Sequence, residues 1–319
     1  MYNFKSSIAA HIKSYIDFKR SLGYKFQYIY TFNNFDRFLY EQEYEGQGLS
    51  EEIITKWIKH RPNESDVTLY KRINNIRNLC IYLNKIGYPS FVPRLSKRYK
   101  TNFKPYIFTQ KELQCFFKAC DNLKHRYDYQ SFYHICPALF RLLYGCGLRV
   151  SEAVSLKCED VNLIDGFIII HETKNGEERQ LPLSESLKEV LTQYYNYCRN
   201  NSNKQDYFFT KRNGKRCSAS SIYKKFREIL YKAGISHGGK GYGPCVHSFR
   251  HTFGVHSLAN MAEQGLDLYY CLPLLSKYLG HKSLAATDGY VRLTAEMYPK
   301  LINDVNKICA FIFPEINPL

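Results

Sequence analysis

Apolar residues recur at intervals of three or four along the first ninety positions, the spacing that gives a helix one buried stripe. Ile8, Ile12, Tyr15 and Ile16 form one stripe, and Ile29, Phe32, Phe35, Phe38 and Leu39 another, with Gly23 between them as a stop. Ser50 can cap a third helix, and Glu51 and Glu52 suit its positive end before Ile54, Trp57 and Ile58 continue the stripe. Ser65 opens a fourth helix, with Ile73, Ile76, Leu79 and Leu83 turned inward. The spacing predicts a small helical domain over residues 1–90. Lys71, Arg72 and Arg77 lie off the apolar stripe of the fourth helix. They read either as a stripe of phosphate contacts or as an ordinary solvated face.

Between Gly87 and Pro105 the periodicity disappears. Prolines 89, 93 and 105 fall among Arg94, Lys97, Arg98, Lys100 and Lys104, so residues 91–106 read as a basic linker, with Arg98 and Lys100 as candidate DNA contacts. Thr109 and Glu112 have capping-box spacing and restart the helices. A helix through Phe140, Leu142 and Leu143 ends at Gly145 and Gly147. After Asp160 the period changes: Phe167 to Ile170 is a strand-like run, Lys174-Asn175-Gly176 a turn, and Arg179 to Pro182 a returning strand. Helical spacing resumes over Leu187–Tyr197, Ser221–Tyr231 and Phe249–Asn260. The fold expected is mainly α with a small antiparallel β-sheet, the second domain covering 107–319.

Charge narrows the function. Lys and Arg number 45 against 29 Asp and Glu, a formal +16 spread over both halves of the 319 residues. Cations in that number favour a polyanionic partner, because neutralised phosphates release their condensed counterions. A basic soluble protein with no nucleic-acid partner is the plainer alternative. The start has no secretory pattern and no window reaches the apolar length of a membrane span, so a cytoplasmic protein with no membrane partner is expected. Eleven cysteines, scattered and without a C-x-x-C pair, read as reduced thiols.

Three segments carry candidate chemistry: Gly147-Leu148-Arg149-Val150-Ser151-Glu152, His247-Ser248-Phe249-Arg250-His251, and Leu279-Gly280-His281 followed nine positions later by Tyr290. Each alone is weak, since the chain has ten histidines and 28 tyrosines. Together, in this order and with a hairpin lysine between the arginine segments, they resemble the motifs of the tyrosine recombinases, the phage-type integrases. The resemblance extends to the helical N-terminal domain, which is similar to that family's core-binding domain.

The chemistry of that family asks for these residue types. Attack on a phosphodiester builds charge on the non-bridging oxygens, and Arg149 and Arg250 can offer planar forks that grip two oxygens at once. His247 falls three positions before Arg250, on the same helical face, and His281 can add a hydrogen bond. The resemblance makes Tyr290 the nucleophile, His247 the base that helps it ionise, and Lys174 the general acid for the departing 5′ oxygen. Glu152 orients Arg149, or is simply an N-terminal helix acid after a Ser151 cap. No cofactor or metal is expected.

Gly234 to Gly241 nearly spells a P-loop, but Gly241 stands where the magnesium-binding hydroxyl belongs and no buried strand precedes it, so a flexible loop is expected. His247 and His251 are spaced like zinc ligands on a helix, yet Ser248 replaces the glutamate of the zinc protease motif. The stretch 254–276 looks longer than the family's helix connection. The apolar residues Leu301, Ile302, Ile308, Phe311 and Ile312 either pack on their own domain or, as the resemblance implies for the segment from about 295, dock on a neighbouring subunit. The function implied is a site-specific recombinase, an integrase of a mobile element acting as a homo-tetramer on two double-stranded DNA sites with accessory proteins. The alternatives are a type IB topoisomerase-like enzyme and an idle DNA-binding accessory protein of the same fold.

Overall fold

A computed structural model describes residues 3–298 other than 25–28, 96–103, 124–129, 172–177, 201, 212, 240–241 and 282. The chain divides into two compact units, Met1–Phe103 and Lys104–Leu319.

In the first unit four helices follow the apolar stripes: α1 Ala9–Ser21, α2 Ile29–Glu41, α3 Glu51–Ile58 and α4 Asp66–Lys85. Ser50 caps α3 by accepting from the Ile53 amide, and Ser65 caps α4 by accepting from the Thr68 amide. Ile12, Ile16, Phe35, Leu39, Ile54, Ile76, Leu79 and Leu83 meet in one core, all but excluded from solvent. Asp36, buried among them, is satisfied by Ser6, whose amide and hydroxyl donate to it at 3.0 and 2.6 Å.

Arg72 corrects the expected basic stripe. It is buried against Glu64, donating Nε–H and an Nη2–H to the two carboxylate oxygens at 2.8 and 2.7 Å, and it also donates to the carbonyls of Trp57 and Lys59. Its planar fork is used up inside the unit, tying α4 to the end of α3. Arg77 is half-buried and donates to the Pro93 carbonyl at 2.9 Å, whereas Lys71 is exposed. Arg98 and Lys100 lie outside the described residues.

The second unit opens with the full capping box at Thr109 and Glu112, which starts α5 Gln110–Asp121. It continues through α6 Gln130–Gly145 and α7 Val150–Ser155 to strands β1 Val161–Asn162, β2 Phe167–Ile170 and β3 Arg179–Pro182. These strands form one antiparallel sheet in the order β1-β2-β3, with Ile168 opposite both Val161 and Leu181. The short strand β1 has too little periodicity to be read beforehand. Helices α8 Glu185–Cys198, α9 Ala219–Lys232, α10 Ser248–Glu263, α11 Leu268–Leu279 and α12 Ala285–Met297 follow.

Phe249 sits at the centre of an aromatic core, its ring 5.1 Å from those of Phe108 and Phe116 and 5.8 Å from those of Phe140 and Phe226. The start of α10 is thereby fixed one position before Arg250. The 254–276 stretch is not a long connection: most of it is helix, the end of α10 and the start of α11, joined by a tight turn in which Gly265 takes a left-handed conformation. Pro273 inside α11 had masked that helix. After α9, Gly243 lies against His237, where a Cβ would collide with the His237 carbonyl. The ten described cysteines are free. Among the described residues no helix is long and apolar enough to cross a membrane.

Candidate active site

The site is assembled from α7, β3, α10, the end of α11 and α12. Gly147, just before α7, has φ +57°, and a Cβ there would come within 2.6 Å of Phe253 and 2.8 Å of Leu279. Only glycine brings this turn so close to α10 and α11. Its carbonyl accepts from Arg250 Nη1 at 2.8 Å, while the Leu279 carbonyl accepts from Nη2 at 2.6 Å. Arg250, 1% exposed, is therefore pinned between the two segments flanking the site. Burial and the charge of Arg149 lower its pKa to about 10.

Arg149 is itself the N-cap of α7, which replaces the expected Ser151 cap. Glu152, three residues on, accepts from the Arg149 amide at 2.9 Å and from its Nη1 at 2.7 Å, so the carboxylate caps the helix and orients the guanidinium together. Glu152 is 2% exposed. It is also held by Arg179, the first residue of β3, which donates to its two oxygens at 3.3 and 2.9 Å. Burial alone would raise the Glu152 pKa, but the bonds and charges of Arg179 and Arg149 bring it below the usual carboxylate value.

Tyr290 lies on α12, 4% exposed, with its ring laid on Gly254 of α10, where a Cβ would stand 3.0 Å from the ring. Its ring stacks with that of His281 at 6.1 Å and an interplanar angle of 23°. The phenolic oxygen is 3.1 Å from His251 Nδ1. Burial and then the charges of His247 and Arg250 lower the His251 pKa to about 4. When the proton of that neutral ring sits on Nε2, the phenol donates to Nδ1. Burial raises the Tyr290 pKa, and Arg250 and Arg149 oppose the rise. His281, whose Nδ1 is 2.8 Å from the Thr287 hydroxyl, is lowered to about 4 by burial and then by Arg250 and Arg149.

Arg149, Glu152, Arg250, His281 and Tyr290 thus come together as the sequence motifs suggested. His247 stands beside them, its ring 4.7 Å from that of His251, but the hydroxyl of Tyr290 meets His251. Helix geometry explains the difference: His251 is next to Arg250 and one turn before Gly254, under the Tyr290 ring. Burial and the charges of Arg250 and Arg149 lower His247 to about 4 as well. Lys174 lies outside the described residues. Two residues given no role by the motifs join the cluster. The zinc-like spacing of His251 from His247 gives no sign of its contact with Tyr290. Arg179 shares a strand face with buried Leu181, and that inward-pointing charge was its available signal.

The fold recurs in solved structures. A lambda integrase dimer bound to a COC′ core site aligns with a TM-score of 0.63 at 14% identity, covering 88% of this chain and 94% of that one. A Tn1549 transposon integrase in complex with circular intermediate DNA aligns at 0.61 and 18% identity, covering 90% and 94%. Helical units carrying a three-stranded sheet thus place the chain in the fold class of the DNA integrases and recombinases. Residues 107–297 match the phage integrase family, and the chain belongs to that family, the tyrosine recombinases. The Sinorhizobium fredii protein y4rB, named as an integrase/recombinase, is 27% identical over 306 residues, 92% of this chain and 95% of its own length. The tyrosine recombinase XerA of Pyrococcus furiosus is 33% identical over 168 residues, about half of each chain.

Proposed function

We propose that this protein cleaves and rejoins DNA strands at specific sites, with Tyr290 as nucleophile. The single observation that carries the reading is the convergence of Arg149, Arg250, His281 and Tyr290 from three separate stretches of chain onto one cluster in which guanidiniums outnumber carboxylates. Such a cluster is matched to the charge that builds on a scissile phosphate. The Tyr290 oxygen attacks phosphorus, its proton passing to a neighbouring neutral imidazole, His251 in the described arrangement or His247 beside it. The bond to the 5′ oxygen breaks, and that oxygen takes a proton from Lys174 to become a 5′ hydroxyl. The product is a 3′-phosphotyrosyl ester that conserves the bond energy, so a second 5′ hydroxyl can reverse the step.

Tyr290 is almost wholly buried as it stands, so engagement of a scissile phosphate requires its hydroxyl to become more open. The first unit acts as the core-binding domain and exposed Lys71 is a DNA contact within it, with Arg98 and Lys100 in the basic linker adding to the footprint. Integration and excision of a mobile element is the biological setting. Resemblance to integrases supports it. The active assembly in this reading is a homo-tetramer on paired DNA sites, joined through the segment from about residue 295, most of which lies outside the described residues, and assisted by accessory proteins. The protein then works in the cytoplasm.

A nicked suicide duplex carrying the recombination site tests the reading. The wild type should leave a protein–DNA adduct that survives denaturant, and Tyr290→Phe should leave none while binding DNA as before. An adduct formed by Tyr290→Phe would transfer the nucleophile to another residue.

A further inference from the structure

Arg179 stands outside the motif set, yet its guanidinium joins three parts of the site. It donates to both oxygens of Glu152, at 3.3 and 2.9 Å, and through Nε–H to the Tyr278 carbonyl at 3.0 Å. It also fills the space over Gly280, where a Cβ would stand 2.9 Å from Nη1. Gly280 is the left-handed C-cap of α11 and leads directly into His281. One side chain on β3 therefore touches the partner of Arg149 and the turn that sets His281.

The division of Glu152 between its two arginines is unequal. Arg179 engages both carboxylate oxygens, whereas the Arg149 side chain reaches only Oε1, through Nη1 at 2.7 Å, and sends Nη2 towards the Gly280 carbonyl at 3.4 Å. The Arg149 side chain is also the more open of the two, 21% exposed against 10%. A buried carboxylate facing a single guanidinium draws it into a two-point fork. With Arg179 absent, the available fork on Glu152 is that of Arg149, the fork the phosphate needs.

We propose that Arg179 is a positioning residue for strand cleavage: by saturating Glu152, it lets that carboxylate orient Arg149 without capturing its fork, and it holds the turn before His281. This rests on the cleavage reading given above.

The test is a double-mutant cycle on the full chain, reading single-turnover adduct formation on the suicide duplex at saturating DNA. Melting temperature and DNA affinity are followed in parallel. Arg179→Gln should slow cleavage about tenfold or more, within the coupling range of contacting residues, with affinity within about twofold. Arg179→Lys should recover part of the loss, because a charge remains beside Glu152. In a Glu152→Gln background, Arg179→Gln should lose most of its effect, since no carboxylate is left to compete for Arg149. If the two losses multiply independently, Arg179 is only a brace and the proposal is overturned; unchanged cleavage in Arg179→Gln overturns it equally. Should Arg179→Gln fail to fold, the cycle run with Arg179→Lys decides by the same criterion of additivity. A wild type that forms no adduct overturns the cleavage reading and this one together, whereas additive losses with an active wild type overturn this one alone.

Discussion

Acidification should loosen the C-terminal unit through two imidazoles of the site. His251 and His281 are held down to about 4, first by burial and then by His247 and Arg250 for the former and by Arg250 and Arg149 for the latter. In the unfolded chain each titrates near 6.5. Between these values the unfolded chain binds protons that the folded chain refuses. The stabilisation is therefore complete above about pH 6.5 and is lost as the pH falls towards 4. Each tenfold in proton affinity is worth about 1.4 kcal/mol, so at pH 5 a fully shielded ring would have given up about 2 kcal/mol. Both rings are partly open to solvent, which brings the figure to about 1–2 kcal/mol each. The pair then matters against a total stability of about 5–15 kcal/mol. Denaturant unfolding at pH 7.5, 6 and 5 should show a steeper decline for the wild type than for His251→Gln/His281→Gln, the difference isolating these rings from the carboxylates. A scissile phosphate supplies the anion that the cluster is short of and makes protonation favourable, so bound duplex should shrink the acid loss. Parallel pH slopes in wild type and double variant would falsify the claim that the site holds its imidazoles neutral.

Arg149→Lys should reduce adduct formation by at least about a hundredfold at saturating DNA, because an ammonium cannot supply a planar two-point grip at a site where one lost donor is worth two to three orders of magnitude. Near-normal cleavage by that variant would remove Arg149 from the clamp. Arg72→Ala should destabilise the N-terminal unit by about 3–5 kcal/mol, the cost of stranding buried Glu64, and leave the salt slope of DNA binding unchanged in a folded sample. A slope reduced by about one with normal stability would return Arg72 to the phosphate footprint. His251→Gln should impair cleavage beyond the effect of pH on folding, measured as single-turnover rate against pH. Equal rates for His251→Gln and wild type, with His247→Gln inactive, would assign the proton to His247 alone.

The helices and the hairpin stem were legible because local rules decide them. Ser50, Ser65 and Thr109 cap helices where hydroxyls precede apolar stripes, and Phe167–Ile170 pairs with Arg179–Pro182, the two runs that a turn signal separates in the sequence. Arg72 was misread because the same helical spacing puts a side chain at the border of the buried face. Whether it turns out to water or in to a carboxylate depended on Glu64, a residue in the preceding loop. α11 was obscured by Pro273, which breaks the local pattern although Leu268, Leu272, Leu275 and Leu279 still bury themselves.

The site divides along the same line. Motif order located Arg149, Arg250, His281 and Tyr290 because each sits beside a glycine or a helix start with a local signature, but no motif states how a carboxylate is shared. Glu152 answers to Arg149 three residues away and to Arg179 twenty-seven residues away, and only the second contact depends on the sheet closing correctly. The orientation of the first arginine is thus set by the β2–β3 hairpin, the element on which the sequence also places Lys174. A displacement of β3 would reach Arg149 through Arg179 and Glu152.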